Sequence, residues 1–219
     1  AQDVVDNRSD LDKVKDGYHS RYRTHPKKSS PVLIVMYYDD KIKDFSSISE
    51  KVNRMYAAEH GYDLMTVRHR LSDRDPQWDK VRVMDIVMNE IEDAKDHEWY
   101  FWIDSDAVFA QHDVELKPIL DEGGELVISD DIPNKGKDPP EGEVYVNTGT
   151  FGLKNTDWAK QFVKKWWETP MGMENKLYHE QTVLCDMYKT NEMGLKQKMA
   201  VQPYDRLNSA SGQSPRGPV

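Results

Sequence analysis

The chain has 219 residues and a net charge of -9, enough length for one domain with a sizeable core. That charge argues against a general nucleic-acid binder, since neutralising a phosphate backbone takes a basic surface, but it leaves room for a small phosphorylated ligand held locally. The single cysteine, Cys185, excludes an internal disulfide, and within TVLCDMY it reads as a small core residue.

The opening AQDVVDNRSD is polar and acidic, unlike a signal peptide, and no run reaches the ~18 apolar residues of a membrane span. Asn7-Arg8-Ser9 fits the N-glycosylation triplet, a pattern common by chance. Residues 1–30 are charged, show no clear periodicity and are expected to form a leader or an edge wrap. The first clear element is the apolar run Pro31 to Tyr37, as for a strand buried on both faces. A helix capped by Ser46 or Ser47 is expected to run to about His60, with Ile48, Val52, Met55 and Tyr56 on one face and Gly61 at its end. Tyr62 to Val67 makes a second strand.

Trp78 to Ala94 is a second amphipathic helix, and the aromatic run from Trp99 a third strand. Leu126 to Ser129 and Val144 to Leu153 follow as strands, the latter interrupted by Asn-Thr-Gly. Helices are expected from Asp157 to Thr169 and from Glu180 to Tyr188. Strands alternating with helices predict a mostly parallel, doubly wound α/β sheet in one domain over residues 31–203. Residues 204–219, rich in Ser, Gly and Pro, lack a core pattern and are expected to lie over the surface.

WYFWIDSDAVF, Trp99 to Phe109, ends a buried strand in two like charges. Ligands of open α/β sheets gather beyond the carboxyl ends of strands. On a strand Asp104 and Asp106 share a face, with Ser105 turned away. Two carboxylates so close call for a shared proton, basic neighbours or a divalent cation, and hard oxygen ligands favour Mg2+ or Mn2+. Aspartates that simply cap the strand end are the plainer alternative.

An apolar strand followed by Asp-Ser-Asp-Ala-Val-Phe resembles the nucleotide-sugar glycosyltransferases of the GT-A fold. Three further segments are similar to the galactosyl/xylosyl/mannosyltransferase family, which includes the xyloglucan xylosyltransferases. They are Pro76-Gln77-Trp78-Asp79-Lys80, the run Val146-Asn147-Thr148-Gly149-Thr150-Phe151 through Trp158, and His179-Glu180-Gln181-Thr182. Order and rough spacing agree from about Pro31 to Tyr188.

The resemblance implies a GT-A, Rossmann-like sheet and a metal-dependent retaining transferase. Its Mn2+ or Mg2+ would sit on Asp104 and Asp106, and its nucleotide near Val35, Tyr37, Tyr38 and Ser105. The donor would be a UDP- or a GDP-sugar, the former favoured, and the acceptor a glycan or other hydroxyl compound. Lys80 would pair with a phosphate, or else be a solvated helix lysine. Asn147, Thr148 and Gly149 would line the donor site, or else form a bulge that re-aims the strand. Asp130 and Asp131 would bind sugar or acceptor hydroxyls. Gln181, with Glu180 as hydroxyl binder or alternative nucleophile, would lie beneath the anomeric carbon, the reacting centre that Asp106 also serves. The plainer role for His179 and Glu180 is helix capping.

The family usually adds a His as third metal ligand beyond this point, yet no His follows His179. A residue of Tyr204 to Ser209 is one replacement. Family members usually work in the Golgi lumen. Two other readings use the same aspartates: a nucleotidyl- or phosphotransferase, which would want a Gly-rich or basic loop where the acidic YYDDKIKDF stands, and a non-catalytic sugar-nucleotide-binding module.

Overall fold

The computed structural model describes residues 8–24, 30–131, 136–169, 179–209 and 217–219, so Asn7 of the glycosylation triplet lies outside the described residues. Six strands form one sheet in the order β2-β1-β3-β5-β4-β6. They are β1 Val32–Tyr37, β2 Asp63–Val67, β3 Trp99–Ile103, β4 Leu126–Asp130, β5 Val146–Lys154 and β6 Met199–Gln202. β1 runs parallel to both β2 and β3, and β4 parallel to β6, while β5 is antiparallel to its neighbours β3 and β4. The expected mostly parallel α/β sheet is what the chain forms. β6, too short and mixed to register as a run, is an addition to the sequence reading.

The period of two along each strand sorts the core into two layers. Leu33, Val35, Tyr37, Tyr100 and Trp102 face one cluster, and Val32, Ile34, Met36, Trp99, Phe101 and Ile103 the other. The first layer is covered by helices α1 Asp10–His19, α3 Asp79–Asn89, α5 Asp157–Glu168 and α6 Glu180–Lys189. The second is covered by α2 Lys43–His60 and α4 Leu116–Asp121. Two one-turn helices, α7 Leu195–Lys198 and α8 Tyr204–Leu207, flank β6. Cys185 is partly buried against the first layer, as a small packing residue.

Three expectations need correction. Residues 10–19 of the supposedly aperiodic leader form α1, which Ser9 caps by accepting from the Asp12 amide at 3.1 Å. Val14 and Tyr18 are fully buried, and Tyr22 bridges Leu64 on the free edge of β2, protecting that edge from foreign strands. The tail also contributes to the core: Leu207 and Val219 are buried in the second layer, and Pro218 accepts from Ala110 and Gln111.

Helix α2 is the third. It begins at Lys43 with no side-chain cap, and its apolar stripe is turned outward: Phe45, Ile48 and Met55 are exposed, while Ser46, Ser49, Glu50 and Asn53 are buried with Tyr56 and Ala57. Two of the buried polar groups, Glu50 and Asn53, explain the choice of face, because they are bonded inside. Glu50 accepts from Tyr38 and the Arg54 and Arg68 guanidiniums, and Asn53 bonds the Ala107 carbonyl and the Phe109 amide.

Candidate active site at the carboxyl edge of the sheet

Beyond the ends of β1 and β3 lies a cavity of about 270 Å³ lined by Tyr37, Ile42, Phe45, Pro76, Gln77, Lys80, Trp102, Asp104, Ser105 and Asp106. β3 stops at Ile103, so Asp104 to Asp106 form a turn, closed by the Ala107 amide on the Asp104 carbonyl at 3.0 Å. Strand alternation therefore does not align the two carboxylates. The turn does, leaving Asp106 exposed, Asp104 half-buried and both on the cavity wall.

Asp104 is fixed from three sides. Its amide donates to the Gly149 carbonyl at 2.8 Å, and the Trp102 indole donates to Oδ1 at 2.7 Å. The Lys80 ammonium stands 2.9 Å from Oδ1. Lys80 is buried and also reaches Glu180 Oε1 at 3.2 Å and the Thr148 carbonyl at 3.1 Å. Burial pulls its pKa down, but the carboxylates of Asp104 and Glu180 outweigh that and hold it above the ordinary lysine value. The reading of Lys80 as a solvated lysine is thereby excluded. Asp79 anchors the helix start that carries Lys80: fully buried, it pairs with Arg70 and accepts from the Leu71 amide and the Ser72 hydroxyl.

The Asn-Thr-Gly interruption is both a bulge and part of the site. β4–β5 pairing jumps from Ile128 opposite Phe151 to Ser129 opposite Asn147, which frees Thr148 to Thr150 from the β4 register. Thr148 uses its hydroxyl toward Glu180 Oε1 (2.8 Å) and its amide toward Gln181 Oε1 (3.0 Å). A Cβ on Gly149 would lie 2.9 Å from Asn147 Oδ1, 3.1 Å from Asn208 Nδ2 and 3.5 Å from Asp104 Oδ2, so any side chain here would have to displace the two amides. Asn147 ties the group together: its Oδ1 accepts from the Gly149 amide and from Asn208, both at 2.8 Å, and its Nδ2 donates to Asp131 at 3.3 Å.

Lys80, Asp104, Ser105, Asp106 and Tyr37 thus meet at the cavity, with Asn147, Thr148, Gly149, Glu180 and Gln181 packed around Lys80 and Asp104. Glu180 and Gln181 stand behind Thr148 and Lys80 and are not among the cavity-lining residues. Glu180 is buried, and its Oε2 has no hydrogen-bond partner among the described residues. Asp130 and Asp131 close β4, with Asp131 on the Asn147 network.

Two expected nucleotide neighbours are elsewhere. Val35 is fully buried in mid-strand between Met65 and Trp102, and Tyr38 is buried with its hydroxyl on Glu50, burial pushing its phenol up to about 12. A continuous apolar run hides which residues surface at its end, hence the misplacement. His179 begins α6 without a side-chain capping bond. Sequence reasoning missed Ile42, Phe45 and Trp102 as cavity residues. It named the region of Asn208 without singling that residue out.

Among the described residues no group of three His, Cys, Asp or Glu could hold a metal. The donor set suits Mg2+ or Mn2+ only as two carboxylates completed by ligand oxygens and water, which is how Mg2+ commonly binds. Among the described residues no helix is long and apolar enough to cross a membrane.

Residues 28–126 match the galactosyl transferase GMA12/MNN10 family. The chain is 24% identical over 189 residues to the probable alpha-1,6-mannosyltransferase MNN10 of Saccharomyces cerevisiae, covering 74% of this chain and 47% of the relative, so it spans about half that protein's length. Two solved structures share the fold. A glycosyltransferase involved in glycosylation of the major capsid of PBCV-1 has a TM-score of 0.61 at 15% identity, over 81% of this chain and 84% of its own. The galactosyltransferase LgtC, solved with donor and acceptor sugar analogs, has 0.55 at 13%, over 80% and 74%. The chain thus has the fold of these two glycosyltransferases, and over residues 28–126 it is similar to the galactosyl transferase GMA12/MNN10 family.

Proposed function

We propose that the chain moves a hexose from a nucleotide-diphosphate sugar to a glycan hydroxyl with retention of configuration. One observation carries the reading: Asp104 and Asp106 border an open cavity at the strand ends, and behind Asp104 a buried Lys80 is shared with Glu180 and the Thr148–Gly149 bulge. Asp104 and Asp106 would hold Mn2+ or Mg2+ against the donor diphosphate. When bound, that cation offsets charge on the departing diphosphate.

The protein's own groups divide the remaining work. Lys80 holds Asp104 in place and adds positive charge beside the diphosphate. Tyr37 and Phe45 give the nucleotide apolar walls. Glu180, a buried carboxylate behind the wall, stabilises positive charge developing at the anomeric carbon, and Gln181 fixes the Thr148 amide beside it. The acceptor hydroxyl then attacks from the face the diphosphate leaves, and its proton passes to the departing phosphate oxygen.

Retention is supported by the relative's name, which records an alpha linkage; formed from an alpha-linked sugar nucleotide, such a linkage keeps the configuration. That name also sets a GDP-sugar beside the UDP-sugars favoured on family likeness. Family likeness likewise supports a working site in the Golgi or secretory lumen.

The test is thermal stabilisation and slow hydrolysis with a panel of UDP- and GDP-sugars with and without Mn2+. Stabilisation by one sugar nucleotide that needs the cation and disappears in Asp104→Ala is the expected result. No shift with any sugar nucleotide would sink the proposal.

A further inference from the structure

A second cavity, of about 250 Å³, opens at the outer edge of the sheet between α1, α2 and the end of β2, and shares no lining residue with the first. Its walls are Lys13, Asp16, Gly17 and Ser20 from α1, Arg54 from α2, and Thr66, Arg68 and His69 from β2 and the loop after it. It exists because α1 crosses β2 closely at Gly17, where an added Cβ would lie 2.8 Å from the Thr66 carbonyl.

Three cations, Lys13, Arg54 and Arg68, line this cavity in a chain whose net charge is -9. The carboxylates facing them are Asp16, which is paired with Arg8, and Glu50, which lies beneath and bonds both guanidiniums. Lys13 is steadied by the Arg70 carbonyl at 2.9 Å. Two polar groups here lack hydrogen-bond partners among the described residues: the hydroxyl of Thr66, a residue only 9% exposed, and Nε of Arg54.

Two guanidiniums and an ammonium lining one cavity suit an oxyanion, which accepts several charge-assisted hydrogen bonds at once. Asp16 and the Ser20 hydroxyl, on the same α1 wall as Lys13, suit neutral hydroxyl groups, and the cavity exceeds what a bare phosphate fills. We infer that this cavity is a binding site for an oxyanion-bearing sugar unit, the phosphate or carboxylate on Arg54, Arg68 and Lys13 and the ring hydroxyls toward Asp16 and Ser20. Its position beside the end of β2 puts it on the same sheet edge as Asp104, as an anchor for an anionic saccharide. The inference does not depend on the transfer chemistry proposed above.

The test is titration of the full chain with a hexose 6-phosphate, inorganic phosphate and the neutral hexose, by calorimetry and by backbone amide shifts. The expected result is saturable binding of the hexose phosphate, at least tenfold tighter than either fragment, with shifts at Gly17, Thr66 and Arg68 and not at Ser105 or Asp106. Thr66→Val and Arg54→Gln should each weaken it at least fivefold while the melting curve stays cooperative. Absence of saturable binding overturns the inference, as do shifts centred on Asp106 or unchanged affinity in both folded variants. Equal affinity for inorganic phosphate overturns the sugar part and leaves an oxyanion site.

Discussion

Replacing Lys80 by methionine tests whether the buried ammonium holds the site together. Met is close in length and apolar, so packing is nearly preserved and the effect isolates the charge. The loss removes the partner of Glu180, a 3%-exposed side chain, and a donor to the Thr148 carbonyl. Asp104 suffers less, because its side chain is 33% exposed and keeps the Trp102 indole. Breaking a buried pair by deleting one member costs about 3–5 kcal/mol, and the exposure of Asp104 puts this case near 3. For a domain of this size that lowers Tm by about 6–12 °C. Lys80→Met with Glu180→Gln should recover at least ~1 kcal/mol relative to Lys80→Met alone, since the stranded charge is gone. Urea unfolding of the wild type, both single variants and the double variant gives the cycle. A cost below ~0.5 kcal/mol for Lys80→Met, or no recovery in the double variant, would refute the argument. The sign of the pH effect is fixed as well: the Lys80 pKa is raised above 10.5 in the fold, so its contribution is complete below that value and is lost only as pH climbs through the higher folded one.

Gly149→Ala should cost about 1–2 kcal/mol, as the Asn147 and Asn208 amides give way to the new methyl and lose their mutual bonds, and should lower kcat/KM at least tenfold; unchanged turnover in a folded variant would show the close approach to be irrelevant. Phe45→Ala removes a 47%-exposed ring on the cavity wall, so calorimetry should show weaker donor binding while stability moves by no more than ~0.5 kcal/mol. Glu50→Gln should cost about 1–2 kcal/mol near neutral pH, because Glu50 is buried while Arg54 and Arg68 stay partly solvated. Burial raises the Glu50 pKa, but Tyr38, Arg68 and Arg54 hold it below 4.5, so that contribution is full above pH ~4.5 and fades on further acidification; acid titration of Tm should bring wild type and variant together.

Periodicity and turn chemistry determined the local part of this protein. The apolar runs at Val32–Tyr37 and Trp99–Ile103 became central strands because a strand buried on both faces must be apolar at every position. Asp104 and the Asn147–Gly149 segment stand out because charged or small polar residues end or interrupt such runs, whereas Lys80 stands out only through the family resemblance of its segment. The α1 signal was present too, in the Ser9 cap, two first-turn aspartates and Val14 with Tyr18 one turn apart, but its dense charge obscured it.

Tertiary structure alone decided which side of α2 faces inward. Glu50 and Asn53 find partners in Tyr38, Arg68, Ala107 and Phe109, residues 12 to 56 positions away along the chain, so a polar face is buried and an apolar one exposed. The placement of Val35 and Tyr38 inside the core, and of Glu180 behind Lys80, was settled the same way. WYFWIDSDAVF showed two aspartates at a strand end; only the fold revealed that Lys80, arriving from helix α3, pairs with Asp104 and joins it to Glu180. A sequence fixes periodicity within an element, whereas charge pairing and burial depend on which distant elements the sheet order brings together.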